Sequence, residues 1–256
     1  MSFKSLSLGV MRGVGWIAGL VPSGLRGRIL FALLVLESRI GAPDKALRNL
    51  YAVQDDLERI LAERAMAYGE GVHPKHRLTR YHDFFVDRIA DGARVLDIGC
   101  GTGEVARAVA RAHSGATVMG VEIEGDLIAQ ANASDNLANL SFLCADATQV
   151  LPQGPWDTIM LSNILEHLDD RVGFLTALIA AQKPQSILIR VPSFERHWHI
   201  PMRRELGITY FSDRTHFIEH TLDEFAAEMS RAGVEVIEMQ TIWGEIWASC
   251  RAVRSA

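Results

Sequence analysis

The sequence predicts an α/β fold: a seven-stranded, mostly parallel sheet with helices on both faces, an antiparallel last strand and a helical N-terminal cap. Three observations predict it. From Arg94 onward, short apolar runs alternate with helix-period segments at the spacing of strand–helix–strand units. The first run leads into "DIGCGTG", Asp97 to Gly103, a glycine-rich turn that opens a helix. The last two runs flank Trp243-Gly244, which reads as a hairpin turn.

Residues 1–45 differ from the rest. Lys4, Arg12, Arg26 and Arg28 precede the first acid, Glu37. Two apolar stretches, residues 14–22 and 29–36, are each too short to span a bilayer, and Arg26 and Arg28 separate them. No small-residue cleavage site of a signal peptide follows. The segment reads either as a helix packing on the main domain or as a basic amphipathic stretch in peripheral contact with an anionic membrane. Residues 46–92 read as a helical cap. A helix over residues 44–68 starts at Asp44 as cap, carries a stripe of Leu50, Val53, Leu57, Ile60 and Leu61, and ends at Gly69. Leu78, Tyr81, Phe85 and Ile89 form a second stripe.

The main domain is expected over residues 93–256. Its strands are read at residues 95–98, 117–123, 140–144, 157–161 and 187–191, with helices between. Such sheets bind ligands beyond the carboxyl ends of their strands. Thr221-Leu222-Asp223-Glu224 is a capping box, and Leu222, Phe225, Ala226 and Met229 continue it at helical spacing. Residues 234–239 and 246–253 are the closing strands.

Composition narrows the function. A 48% hydrophobic and 22% charged chain builds a globular core. A net charge of −5 argues against a nucleic-acid partner. Cys100, Cys144 and Cys250 are odd in number and far apart, which fits reduced thiols in the cytoplasm and neither a disulfide framework nor a zinc site.

The glycine turn can be read from Gly99 as GxGxG or from Gly101 as GxGxxA, a dinucleotide fingerprint. Asp97 favours the first frame. A pyrophosphate beside it would meet a like charge at a cost of several kcal/mol, on the order expected in a partly dry crevice. A ligand with an ammonium group and no phosphate would gain. S-adenosylmethionine is such a ligand. Glu122 ends the second strand, where an acid can accept hydrogen bonds from a ribose diol; dinucleotide proteins use the same device, so it does not separate the two frames. Asp146 can accept from an adenine amino group, or simply cap its own turn.

Together "VLDIGCGTG", "GVEIEGDLIAQA", "CADATQVLP" and "WDTIMLSNILEHLDD" resemble the motifs of the class I S-adenosylmethionine-dependent methyltransferases, whose fold is Rossmann-like. The resemblance covers about residues 94–191. It implies that Asp97, Gly99, Cys100, Gly101 and Gly103 hold the methionine part of the cofactor. It likewise implies Glu122 and Ile123 at the ribose, Asp146 and Ala147 at the adenine, and the chain at Ser162 and Asn163 near the amino group. Arg77, 20 residues before Asp97, stands where related enzymes place a basic residue against the cofactor carboxylate. Amino-directed DNA methyltransferases carry an (N/D)PP(Y/F) motif after strand four; this chain has Leu161-Ser162-Asn163-Ile164. Some quinone O-methyltransferases carry a metal-binding ExxEH there. Glu166-His167 keeps the ending, but Asn163 replaces the first Glu, and no metal is expected. The histidines at 73, 76 and 82 lack a fourth partner.

Residues 193–220 read as a lid over the crevice. Arg196, Arg203, Arg204, Tyr210, Arg214 and His220 are its candidate contacts to an anionic substrate. His216 or His167 is the candidate catalytic base. The expected function is S-adenosylmethionine-dependent methylation of a small molecule, at oxygen, on an anionic or glycan- or lipid-linked metabolite. Three rivals remain: a quinone- or polyketide-type methyltransferase, a nicotinamide-dependent oxidoreductase, and a non-catalytic scaffold that keeps the cofactor turn.

Overall fold

The structure, a computed structural model, describes residues 20–134 and 137–253. Lys4, Arg12 and most of the first apolar stretch lie outside the described residues. The chain forms two compact units that divide after His73.

The first unit contains α1 (Ser23–Glu37) and α2 (Pro43–Tyr68). Pro43, not Asp44, opens α2: proline's missing N–H costs nothing in a first turn, and Asp44 follows where the helix dipole favours an acid. Leu50 is half-buried beside Ala46 and Tyr51, but the rest of the apolar stripe of α2 does not pack. Val53, Leu57, Ile60 and Leu61 are each 42–53% exposed. No helix among the described residues is long and apolar enough to cross a membrane.

The second unit begins with α3 (Lys75–Thr79) and α4 (Tyr81–Val86). The expected boundary near residue 92 is therefore displaced. Tyr81, Phe84 and Phe85 are buried against the sheet in a cluster that includes Val95, Val109 and Met160, so residues 74–92 fold with the sheet.

Alternation then proceeds as expected: β1 (Arg94–Ile98), α5 (Glu104–Ala112), β2 (Thr117–Glu122), α6 (Gly125–Ala133), β3 (Leu140–Cys144), β4 (Thr158–Ser162), α7 (Arg171–Gln182) and β5 (Ser186–Pro192). The lid carries α8 (His199–Glu205), and α9 (Leu222–Arg231), β6 (Val234–Ile242) and β7 (Glu245–Ala252) close the chain. The capping box of α9 forms in full: Glu224 N–H donates to Thr221 Oγ1 at 3.1 Å, and Thr221 N–H donates to Glu224 Oε2 at 2.9 Å.

The seven strands take the order β3-β2-β1-β4-β5-β7-β6, with β7 antiparallel to both neighbours. Side chains alternate across the sheet. Val95 joins the α4–α5 face, whereas Leu96 and Ile98 join a second core with Leu175 and Phe225. By the same period, Asp97 falls on the Val95 face. Strand order reverses between β1 and β4, which opens a crevice at their carboxyl ends. The three cysteines are free thiols.

Phe85 is fully buried in the α4–α5 cluster. Phe85→Ala is expected to cost about 3–5 kcal/mol. Denaturant unfolding of the sheet unit checks this; a loss below about 1 kcal/mol would show that α4 is dispensable to that core.

Candidate functional site

A cavity of about 210 Å³ sits in the crevice, between the turn after β1 and the end of β4. Asp97, Gly99, Cys100, Gly101, Ser162 and Asn163 all line it, so six of the expected cofactor residues share one wall. Asp97 is 1% exposed, and neither carboxylate oxygen completes a hydrogen bond. Burial pushes its pKa up to about 7; the nearby Ala106 amide offsets part of the rise and the Glu122 charge adds to it. Asn163 Oδ1 is likewise buried without a partner, on a residue held at φ +58°. The cavity thus presents three buried acceptor oxygens lacking donors. Uncompensated acceptors are costly to bury. A ligand rich in N–H donors and carrying positive charge meets that need.

The turn is shaped to let a ligand approach. At Gly99 (φ +71°) a Cβ would fall 1.8 Å from Ile164 Cδ1, so this position is closed by packing. At Gly101 (φ +54°) nothing lies within 4 Å of where a Cβ would be, and the backbone faces open space. Glu122 fastens the turn. Its Oε2 accepts from Gly101 N–H at 3.0 Å, and its Oε1 from Ile123 and Glu124 N–H at 2.8 and 3.1 Å. Glu122, Ile123, Asp146 and Ala147 lie outside the small cavity. Asp146 accepts from the Thr148 amide and hydroxyl at 2.9 and 2.6 Å, and these bonds lower its pKa. Ala147 lines a separate groove of about 580 Å³ with Leu168 and Phe174.

Two residues at the cavity were not singled out from sequence. Arg190 of β5 makes a two-pronged ion pair with Glu245 at 2.5 and 2.6 Å, donates to Ser162 Oγ at 3.1 Å, and stacks 3.9 Å from the centre of the Tyr81 ring. A lone arginine inside the apolar run "SILIRVP" was the available signal. Lys75 also lines the cavity, while the residue as a whole stays solvent-exposed. Burial of its ammonium and the Arg190 charge lower its pKa. Arg77 is exposed and does not line the cavity; two residues, about 200° round the helix, separate it from Lys75, which does. The expected histidine cluster near it is an internal chain: His76 Nδ1 lies 2.8 Å from Tyr81 Oη and 3.3 Å from His82 Nε2. Burial and His76 push His82 down to about 4, and burial pushes Tyr81 up to about 12.

The lid brings His167 and His216 together, rings edge to face at 4.6 Å. His216 Nδ1 lies 3.0 Å from Glu219 Oε1. Burial works to raise Glu219, yet hydrogen bonds from His216 and Ser212 and the Arg196 charge hold it below its ordinary value. His216 thus donates through Nδ1, leaving Nε2 as its basic nitrogen. Thr215 Oγ1 donates to Asp213 at 2.7 Å and contacts His167 Nδ1 at 2.9 Å. Burial and His216 lower the pKa of His167. Glu166, His167 and His216 each offer a ligand atom within 4.8 Å of the others, a set that could take a metal ion. Burial raises the Glu166 carboxyl to about 8, so ligation would first require its deprotonation.

The lid arginines are less available than their number suggests. Arg196 is spent on Ser193 O, Tyr210 O and the Glu219 carboxylate. Arg203 is buried and donates to Thr209 O. Arg204 stacks on Phe194, and Arg214 is exposed. Tyr210 packs edge-on against Phe194. His220 is fully buried with Glu228 at 2.9 Å, so it is a strut of the lid rather than a free contact.

This sheet order and this turn define an S-adenosylmethionine-dependent methyltransferase fold. A sequence profile of the methyltransferase domain matches residues 68–239, and the chain belongs to that family. The ubiquinone biosynthesis O-methyltransferase of Rhodopseudomonas palustris (strain BisB5) is 31% identical over 109 residues, 42% of this chain and 42% of that protein. The chain therefore aligns with less than half the length of this curated relative. Among solved structures, mitomycin 7-O-methyltransferase MmcR superposes with a TM-score of 0.56 at 19% identity, covering 87% of this chain and 67% of that one. Magnesium protoporphyrin IX methyltransferase from Synechocystis PCC 6803, with bound SAH, gives 0.54 at 18% identity over 70% and 83%. At such identities these two superpositions establish the fold alone.

The raised pKa of Asp97 makes stability depend on pH. Its folded value near 7 lies above the ordinary 3.8, so its contribution is present at low pH and is lost as pH rises from about 4 to 7. Asp97→Asn is expected to raise the thermal midpoint of the ligand-free protein by several degrees at pH 8, roughly 1–3 kcal/mol, and by less toward pH 4. Calorimetry across that range checks it; a pH-independent effect would remove the charge from the account.

Proposed function

We propose that this chain transfers the methyl group of S-adenosylmethionine to an oxygen of a small anionic acceptor. The observation that carries the proposal is the group of partnerless buried oxygens on Asp97 and Asn163 in one cavity. The cofactor, when bound, supplies an electrophilic methyl on a sulfonium centre. Asp97 and Asn163 accept from its ammonium, the open backbone at Gly101 admits its methionine part, and Lys75 faces its carboxylate. Glu122 and Ile123 serve the ribose, and Asp146 and Ala147 the adenine. A pyrophosphate ligand would instead meet Asp97 and Glu104 on the cavity wall.

Catalysis rests chiefly on holding acceptor and methyl donor in line. His216 Nε2 takes the acceptor's proton, Glu219 holds the imidazole in that tautomer and steadies its cation, and His167 packs beside it. Arg204, Arg214 and Tyr210 are the lid contacts proposed for a glycan- or lipid-linked anionic acceptor. The reading places the protein in the cytoplasm with peripheral membrane contact through its N-terminal segment. A quinone-type acceptor is the second reading, favoured by the name of the curated relative and by the grouping of Glu166, His167 and His216.

Titration calorimetry with S-adenosylmethionine and with NAD tests the cofactor assignment. Only the first is expected to bind, Asp97→Ala is expected to abolish that binding, and affinity should rise with pH through 7 as Asp97 ionises. Binding of NAD alone would overturn the proposal. With an acceptor in hand, His216→Ala is expected to lower kcat by about a hundredfold to ten-thousandfold, and Glu219→Gln by less with a shifted pH profile. An unchanged kcat in His216→Ala would move the base elsewhere.

A further inference from the structure

We infer that α1 is a membrane anchor immersed just below the headgroups of one leaflet of an anionic lipid bilayer. The inference deepens the membrane-peripheral part of the proposed function and rests on it for location, though not for chemistry. Every residue from 22 to 36 is exposed. Ile29, Leu30, Phe31, Leu33, Leu34, Val35 and Leu36 are each between 38% and 68% exposed. At about 100° per residue, these side chains point to all sides of the helix. A protein surface or a second helix would cover one stripe of such a cylinder and leave the rest in water. A helix that is apolar all round needs an environment that surrounds it.

The length decides against crossing. Fifteen residues span about 22 Å, against roughly 30 Å of hydrocarbon. The charge decides the lipid. The excess is local to α1 and its flanks: residues 20–48 hold five basic residues, Arg26, Arg28, Arg39, Lys45 and Arg48, against two acids, whereas residues 20–73 hold seven of each. Long arginine side chains can run along the apolar surface and keep their charge at the headgroups. Each basic residue close to an anionic surface is worth about a fivefold gain in partition. The stripe on α2 extends the apolar surface of the same unit: Val53, Leu57, Ile60 and Leu61 share one side, and Asp55, Glu58 and Arg59 turn to the other.

Flotation of the full chain tests this, with vesicles of phosphatidylcholine alone and of phosphatidylcholine mixed with phosphatidylglycerol. The wild type is expected to float with the mixed vesicles and about tenfold less with the neutral ones. Leu30→Glu/Leu34→Glu is expected to lower the bound fraction by about tenfold or more on both. Arg26→Ala/Arg28→Ala should lower it on the anionic vesicles only. These positions are exposed, and circular dichroism and cofactor calorimetry should be unchanged in each variant. Failure of the wild type to float, or equal flotation of the Leu30→Glu/Leu34→Glu variant, would overturn the inference. So would a light-scattering dimer that the same two substitutions dissolve while no vesicle binding is seen. Vesicle binding without S-adenosylmethionine binding would sink the methyltransferase proposal and leave the anchor standing.

Discussion

A single buried guanidinium ties together the end of the sheet where the cavity opens. Arg190 reaches from β5 to Glu245 of β7, to Ser162 of β4 and to the face of Tyr81 on α4. These partners come from three separate stretches of chain, and the arginine itself from a fourth. The pair is shielded from water, with the arginine side chain 6% exposed. Buried pairs contribute little net stability as pairs, but losing one partner strands the other charge at a cost of about 3–5 kcal/mol. Strand β7, the end of β4 and α4 therefore share one geometry, and the acceptor oxygens beside them inherit it.

That rigidity lets the molecule keep groups that folding alone would not select. Asp97, Asn163 and Glu166 hold buried oxygens without partners, in a unit whose other buried polar groups are mostly bonded. The surrounding sheet overdetermines their positions. By contrast, Glu219 and Glu228 are buried acids with full sets of donors and lowered pKa values. The two kinds of buried acid mark a division between a site prepared for a ligand and a lid braced against itself.

The strand–helix alternation was legible because each strand is a short apolar run and each helix carries its own period. All seven strands fall within a few residues of expectation, and the α9 capping box is complete. Asp97 and Asn163 were legible as cavity residues because motif position places them at strand ends. Lys75 and Arg190 were not chosen, since a helix phase and a strand register decide which cation faces inward, and neither can be read from spacing. The lid arginines misled for a related reason: charge in sequence does not reveal that Arg196 and Arg203 are already committed to carbonyls. The α2 stripe showed amphipathicity but not what would cover it.

The glycine turn bears on descent as well as on binding. Gly99 is confined by Ile164, and Gly103 by Phe142, whose Cζ would lie 2.4 Å from an added Cβ. Both positions stay restricted whether or not anything ever binds there. Gly101 borders open space, and Asp97 is a buried charge that the empty fold would be better without. A lineage that gave up its ligand would keep the outer two glycines for packing, while Asp97 would be free to drift to a neutral residue. If Asp97 holds the cofactor as proposed, the aspartate, and not the outer two glycines, is the position that only binding keeps.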